Sequence, residues 1–141
     1  MKAPYFSYGS NMAINQMAAR CPTAMLLGKA RLPHFEFRIA RSGYATIVPR
    51  RHGVVHGVLW LLGREDARAL DAYEEVEQGL YRKITCAVER DDGRRLSALI
   101  YVAAQPSPGR ALRGYIDAII GAAIEHGLPP DAVAAISRWR R

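Results

Sequence analysis

An α+β fold is expected from this sequence: a curved mixed or antiparallel sheet able to close as a small β-barrel, with flanking helices. Three observations carry that expectation. Period-2 alternation of apolar residues recurs along the chain. Helical apolar stripes are fewer. Strands and helices do not alternate as regular βαβ units. The 141 residues are read as one domain, 1–141, because Pro and Gly are scattered as turn punctuation and no linker or repeat interrupts them.

The elements follow in order. Pro4 to Tyr8 reads as a short aromatic strand ending at Gly9-Ser10-Asn11, a turn composition that also supplies a helix N-cap. Met12 to Arg20 reads as a short helix ended by Cys21-Pro22. Ala24 to Ala30 and His34 to Ala40 read as strands on either side of Leu32-Pro33; Phe35, Phe37 and Ile39 alternate with Glu36 and Arg38 in the second. Tyr44 to Val48 is a short strand stopped by Pro49, and Val54 to Leu62 is the longest strand candidate. Arg64 to Glu74 reads as a helix with Glu65 and Asp66 in its first turn, where the helix dipole favours them. Tyr81 to Glu89 and Arg94 to Ala103 form a hairpin across Asp91-Asp92-Gly93. Arg110 to His126 carries a helical stripe of Leu112, Tyr115, Ile116, Ile119, Ile120, Ala123 and Ile124, stopped by Gly127-Leu128-Pro129-Pro130. Asp131 is expected to cap a last helix running to Trp139.

Composition narrows the function classes. Half the residues are hydrophobic and 23% charged, which fits a globular chain and not a disordered one. Cys21 and Cys86 are too few for a disulfide framework and read as reduced, in a cytoplasmic protein. Val54 to Leu62, the most apolar stretch, is about half the roughly 20 residues that span a bilayer, so no membrane partner is expected. The formal charge of +7 raises nucleic acid as a partner. The arginines form only short groups, Arg50-Arg51, Arg94-Arg95 and Arg138 to Arg141, without a nucleic-acid-binding motif, so a solvated face is the stronger reading. His52 and His56 lack a third metal ligand, Ser10 lacks the GxSxG elbow, and no phosphate-binding loop is present.

Two segments retain chemical interest. The turn Tyr8-Gly9-Ser10-Asn11, between strand and helix, can present several backbone N–H groups in a concave nest suited to a carboxylate or a developing oxyanion. The second segment runs from Leu70 to Tyr81 and holds two adjacent carboxylates. Glu74 lies four after Leu70 and seven after Ala67, on the apolar face; Glu75 lies four after Asp71, on the polar face. An inward Glu74 at a helix C-terminus is expected to have a raised pKa, which suits proton shuttling near neutrality. A buried salt bridge, for instance to Arg82, is the equal alternative at this point.

These segments resemble the gamma-glutamylcyclotransferase-like family. Tyr8-Gly9-Ser10-Asn11 matches its YGSN loop, Ala45-Thr46-Ile47-Val48-Pro49 its ATIxP segment, and Gly57-Val58-Leu59-Trp60 its GVLW strand. Leu70 to Glu74 with Gly79-Leu80-Tyr81 resembles the LDxxEG…GxY segment, and Pro106-Ser107, Tyr115, Ile119, Gly121-Ala122 and Gly127-Leu128-Pro129 follow the C-terminal pattern. The order is that of the family over nearly the whole chain. One position departs: the residue after the catalytic Glu is commonly Gly, and here it is Glu75.

The resemblance implies cleavage of a gamma-glutamyl amide by the substrate's own α-amine, releasing 5-oxoproline and a free amine or amino acid. Glu74 would be the catalytic proton carrier. The Tyr8, Gly9, Ser10 and Asn11 turn would hold the substrate, with Tyr81, Tyr101 and Tyr115 lining the pocket. No metal or organic cofactor is implied, and the expected partner is a small gamma-glutamyl molecule, with no nucleic acid. A non-catalytic binding module of the same fold, recognising gamma-glutamyl or other small anionic ligands, is the alternative. Monomer and homodimer are both open, as is the leaving amine.

Overall fold

The structure, a computed structural model, describes residues 2–140. Met1 and Arg141 lie outside the described residues. Five strands, β1 (Ala3–Ser7), β2 (Met25–Ile39), β3 (Ala45–Leu62), β4 (Tyr81–Arg90) and β5 (Arg95–Ala103), close into a barrel in the order β1-β3-β2-β4-β5. Four neighbouring pairs are antiparallel; the closing pair, Tyr5 of β1 against Leu99 of β5, is parallel. Helices α1 (Ile14–Arg20), α2 (Arg64–Tyr73), α3 (Tyr115–Glu125) and α4 (Pro130–Ser137) flank the barrel. This is the α+β barrel with flanking helices that the alternation pattern predicts.

Closure removes sheet edges and buries the inward row of each strand. Phe6, Val58, Leu59, Leu62, Val88 and Ile100 are fully buried with Ile119 of α3 and Leu70 of α2. The β1–β3 seam also needs a residue without a side chain. A Cβ on Gly57 would lie 2.2 Å from the Ser7 carbonyl oxygen and 2.7 Å from the Phe6 ring.

Several boundaries differ from the sequence reading. Leu32-Pro33 does not break β2, and Pro49 does not end β3 as a separate strand. The register instead jumps between Pro33↔Val54 and Phe35↔Pro49, so the ladder resumes beyond an irregularity. His34 and His52 take positive φ at that irregularity. Asn11 does not cap a helix: Ser10–Met12 form one 3-10 turn, and α1 begins only at Ile14, after Ala13. Helix α1 is therefore separated from the Gly9–Asn11 turn by Met12 and Ala13. The third helix starts at Tyr115, not Arg110, because Gly114 is left-handed, and Leu112 and Ile124 of the expected stripe are largely exposed. Pro129 occupies the N-cap of α4, and Asp131 lies in its first turn without a side-chain cap bond. Helix α2 ends at Tyr73, leaving Glu74 as its C-cap.

Candidate active site

A cavity of about 190 Å³ opens at one end of the barrel. Its wall brings together every residue singled out in the sequence: Tyr8, Gly9, Ser10, Asn11, Glu74, Tyr81, Tyr101 and Tyr115. Tyr5, Tyr44, Tyr73 and Glu75 also line it.

The turn after β1 supplies the donors. Met12 and Ala13 N–H groups bond back to the Gly9 and Ser10 carbonyls at 3.0 and 3.1 Å. The N–H groups of Gly9, Ser10 and Asn11 have no acceptor among the described residues. Three successive free donors at a cavity wall suit an oxyanion or carboxylate. The Asn11 side chain is turned away to structural use: its Nδ2 donates to the Tyr5 hydroxyl at 3.0 Å, and its Oδ1 accepts from Arg20 Nη1.

Two tyrosines clamp the backbone of one residue of the cavity wall, Ala45. The Tyr81 hydroxyl donates to the Ala45 carbonyl at 2.5 Å, and the Ala45 N–H donates to the Tyr115 hydroxyl at 3.0 Å. Tyr115 thus accepts from the backbone and retains its own proton for a ligand. Tyr44 packs edge-on against Tyr115 at 5.7 Å. Tyr8 and Tyr101 are more deeply committed. The Tyr8 hydroxyl donates to the Tyr101 carbonyl at 2.6 Å, and the Tyr101 hydroxyl donates to Asp71 Oδ1 at 2.5 Å. Lys83 holds the other Asp71 oxygen at 3.0 Å.

Glu74 lines the same cavity as the donor turn. Its carboxyl group forms no ion pair or hydrogen bond among the described residues; Arg82, the partner considered for it, is an exposed residue of β4. Burial raises its carboxyl pKa from 4.5 to about 7, and the positive charge of Arg20 partly opposes that rise. Burial likewise raises the hydroxyl pKa values of Tyr5, Tyr8, Tyr81, Tyr101 and Tyr115, so all five remain protonated donors at neutral pH. Glu75, one residue on, is exposed at the rim and takes φ 52°. That left-handed conformation is one that glycine, the residue commonly found there in the resembled family, adopts without a Cβ clash.

Sequence reasoning missed Arg20, Asp71, Tyr5, Tyr44 and Tyr73. Asp71 was legible only as a polar helix position, because its partners Tyr101 and Lys83 come from the β4–β5 hairpin. Arg20 carried no signal beyond closing its helix. Among the described residues no three His, Cys, Asp or Glu side chains gather as a metal site, and no helix is long and apolar enough to cross a membrane.

Over 140 aligned residues the chain is 31% identical to the gamma-glutamylcyclotransferase of Homo sapiens, covering 89% of this chain and 72% of that one. The Bos taurus gamma-glutamylcyclotransferase is 29% identical over the same shares. A solved gamma-glutamyl cyclotransferase superposes with a TM-score of 0.92 at 25% identity, over 99% of this chain and 89% of the other. A family model described as gamma-glutamyl cyclotransferase, AIG2-like, matches residues 5–117. The chain belongs to the gamma-glutamyl cyclotransferase, AIG2-like family.

Proposed function

We propose that this gamma-glutamylcyclotransferase works through Glu74 and the Gly9–Asn11 donors, converting a gamma-glutamyl amide into 5-oxoproline and a free amine or amino acid. The observation that carries the assignment is that one desolvated, unpaired carboxyl group and three unpaired backbone donors line the same small cavity.

The ionised Glu74 takes a proton from the substrate's α-ammonium. The freed amine attacks the γ-carbonyl carbon, a new C–N bond closes the five-membered ring, and negative charge moves to the carbonyl oxygen. The N–H groups of Gly9, Ser10 and Asn11 receive that charge. The intermediate collapses, the bond to the departing nitrogen breaks, and protonated Glu74 delivers its proton to that nitrogen; the second proton of the ring nitrogen passes to the released amine, which leaves as an ammonium ion. A carboxyl with a pKa near 7 is populated in both forms at neutral pH, so one group serves both transfers. The nucleophile is already tethered; the cavity has only to hold the chain folded, and much of the rate comes from that orientation. The Tyr115 hydroxyl proton and the Tyr81 oxygen are the side-chain contacts we assign to holding the substrate.

The test is 5-oxoproline release from a panel of gamma-glutamyl amino acids and amines. Wild-type protein is expected to release it, and Glu74→Gln to lower turnover by roughly 10²–10⁴-fold while remaining folded. Near-normal turnover in that variant would sink the assignment. A module that only binds needs no inward proton carrier, and would release no 5-oxoproline from any member of the panel.

A further inference from the structure

We propose that Arg20 is a positioning residue for this reaction: one guanidinium ties the Gly9–Asn11 donor turn to the Tyr73–Glu74 segment and supplies the cation that faces Glu74. The proposal rests on the reading of Glu74 as the proton carrier.

Arg20 is the last residue of α1, and its side chain lies behind the cavity, touching two of the residues that line it, Asn11 and Tyr73. Nη1 donates to Asn11 Oδ1, and the Cζ atom lies 3.6 Å from the centroid of the Tyr73 ring. Asn11 passes the contact on, donating from Nδ2 to the Tyr5 hydroxyl. Tyr73 directly precedes Glu74 and is the last residue of α2. No backbone hydrogen bond joins the donor turn to the end of α2 among the described residues, so the guanidinium, bonded to Asn11 and stacked on Tyr73, is a side-chain bridge between the two segments. A planar group is needed for this double duty, because it stacks on a ring with its face and donates in its plane.

Its charge is also uncommitted. No carboxylate lies within ion-pair distance of Arg20 among the described residues. Asn11 and Tyr73 are neutral, so neither cancels it. The groups facing Glu74 from the other elements are the hydroxyls of Tyr5 and Tyr8 from the β1 side, Tyr81 from β4, Tyr101 from β5 and Tyr115 from α3. All of these stay neutral at working pH. Arg20 is therefore the cation that favours the ionised form of Glu74 against its desolvation.

The experiment is the pH profile of kcat/KM for 5-oxoproline release by wild type, Arg20→Gln and Arg20→Lys. Removing the cation raises the carboxyl pKa further, so the acid limb of Arg20→Gln should move up by about half a unit to one unit, with kcat/KM at pH 6 falling several-fold more than at pH 8. Arg20→Lys keeps the charge without the planar fork; its limb should stay near the wild-type position while kcat falls at every pH. Direct titration of the Glu74 carboxyl carbon by NMR should show the same ordering. An Arg20→Gln limb at the wild-type pH, with activity scaled down uniformly, would reduce Arg20 to a structural prop and overturn the proposal. An Arg20→Lys limb displaced upward from the wild-type position by about half a unit or more would do the same, and this measurement decides the matter even if Arg20→Gln fails to fold. Absence of 5-oxoproline from the wild type would instead overturn the underlying reading of the site.

Discussion

Glu74 in the cavity and Glu89 on the outside of the barrel are the same functional group held in opposite ways. Glu89 lies on β4 directly across from Arg31 on β2 and Arg95 on β5, and accepts from both guanidinium groups at 2.9 and 3.0 Å. The hydrogen bond from Arg31, chiefly, holds its carboxyl below the usual carboxylate range. Glu74 faces five neutral hydroxyls and one cation whose bond goes to Asn11, and burial drives its pKa up to about 7. Register sets the first environment, since cross-strand neighbours are obligatory contacts in a ladder. Convergence of five elements sets the second. A surface carboxylate is neutralised by its partners; the cavity leaves one free to exchange a proton.

That contrast can be broken at Glu74 first. Its folded pKa lies above the unfolded value, so the folded state binds more protons between pH 4.5 and about 7, and stability falls as pH rises through that window. Glu74→Gln should remove this decline along with turnover, as read by chemical denaturation at pH 5 and pH 8. A variant with the wild-type pH slope would show that Glu74 is not the desolvated group. Tyr115→Phe tests the neutral wall. Its ring packing survives, but the hydroxyl that accepts from Ala45 and points a proton at the cavity is lost. A drop in kcat/KM of about tenfold is expected, the size of one net hydrogen bond, and an unchanged KM and kcat would remove Tyr115 from the site.

Smaller effects sharpen the comparison. Glu75→Gly should leave most turnover intact and raise stability by about 0.5–1 kcal/mol, because a residue at φ 52° loses its left-handed penalty when the Cβ is removed. Lower thermal stability would mean that the Glu75 side chain makes a favourable contact at the rim. Glu89→Gln should have the least effect: turnover and its pH profile unchanged, with a slight loss of stability confined to pH above the carboxylate range, where the ionised Glu89 is held by its arginines. A shifted activity profile in that variant would show that the outer charges reach the cavity.

Much of the barrel was legible in local pattern. Alternation in Phe35 to Ile39, Ile84 to Val88 and Leu96 to Val102 marks strands because side chains alternate across a pleat whatever they later pack against. The spacing of Glu74 from Leu70 and Ala67 places it on the apolar side of α2 for the same kind of reason, and Glu75 off it. What escaped the pattern was non-local. Pro33 and Pro49 read as strand ends, yet the ladder resumes on either side of a shared irregularity, so pairing overrode the local signal. Asn11 read as a helix cap, yet its side chain is drawn to Tyr5 and Arg20 once the chain has folded.

By itself the sequence determined the order and kind of the elements, and which of two adjacent carboxylates lies on a buried face, because those follow from dihedral geometry repeated over a few residues. Only the tertiary structure decided what that carboxylate meets. Its desolvation, the free donors that share its cavity, the two tyrosines clamped on Ala45 and the guanidinium joining Asn11 to Tyr73 all require strands and helices far apart in the chain to converge. A pKa is set by the sum of those neighbours, a quantity defined only when they stand in one place.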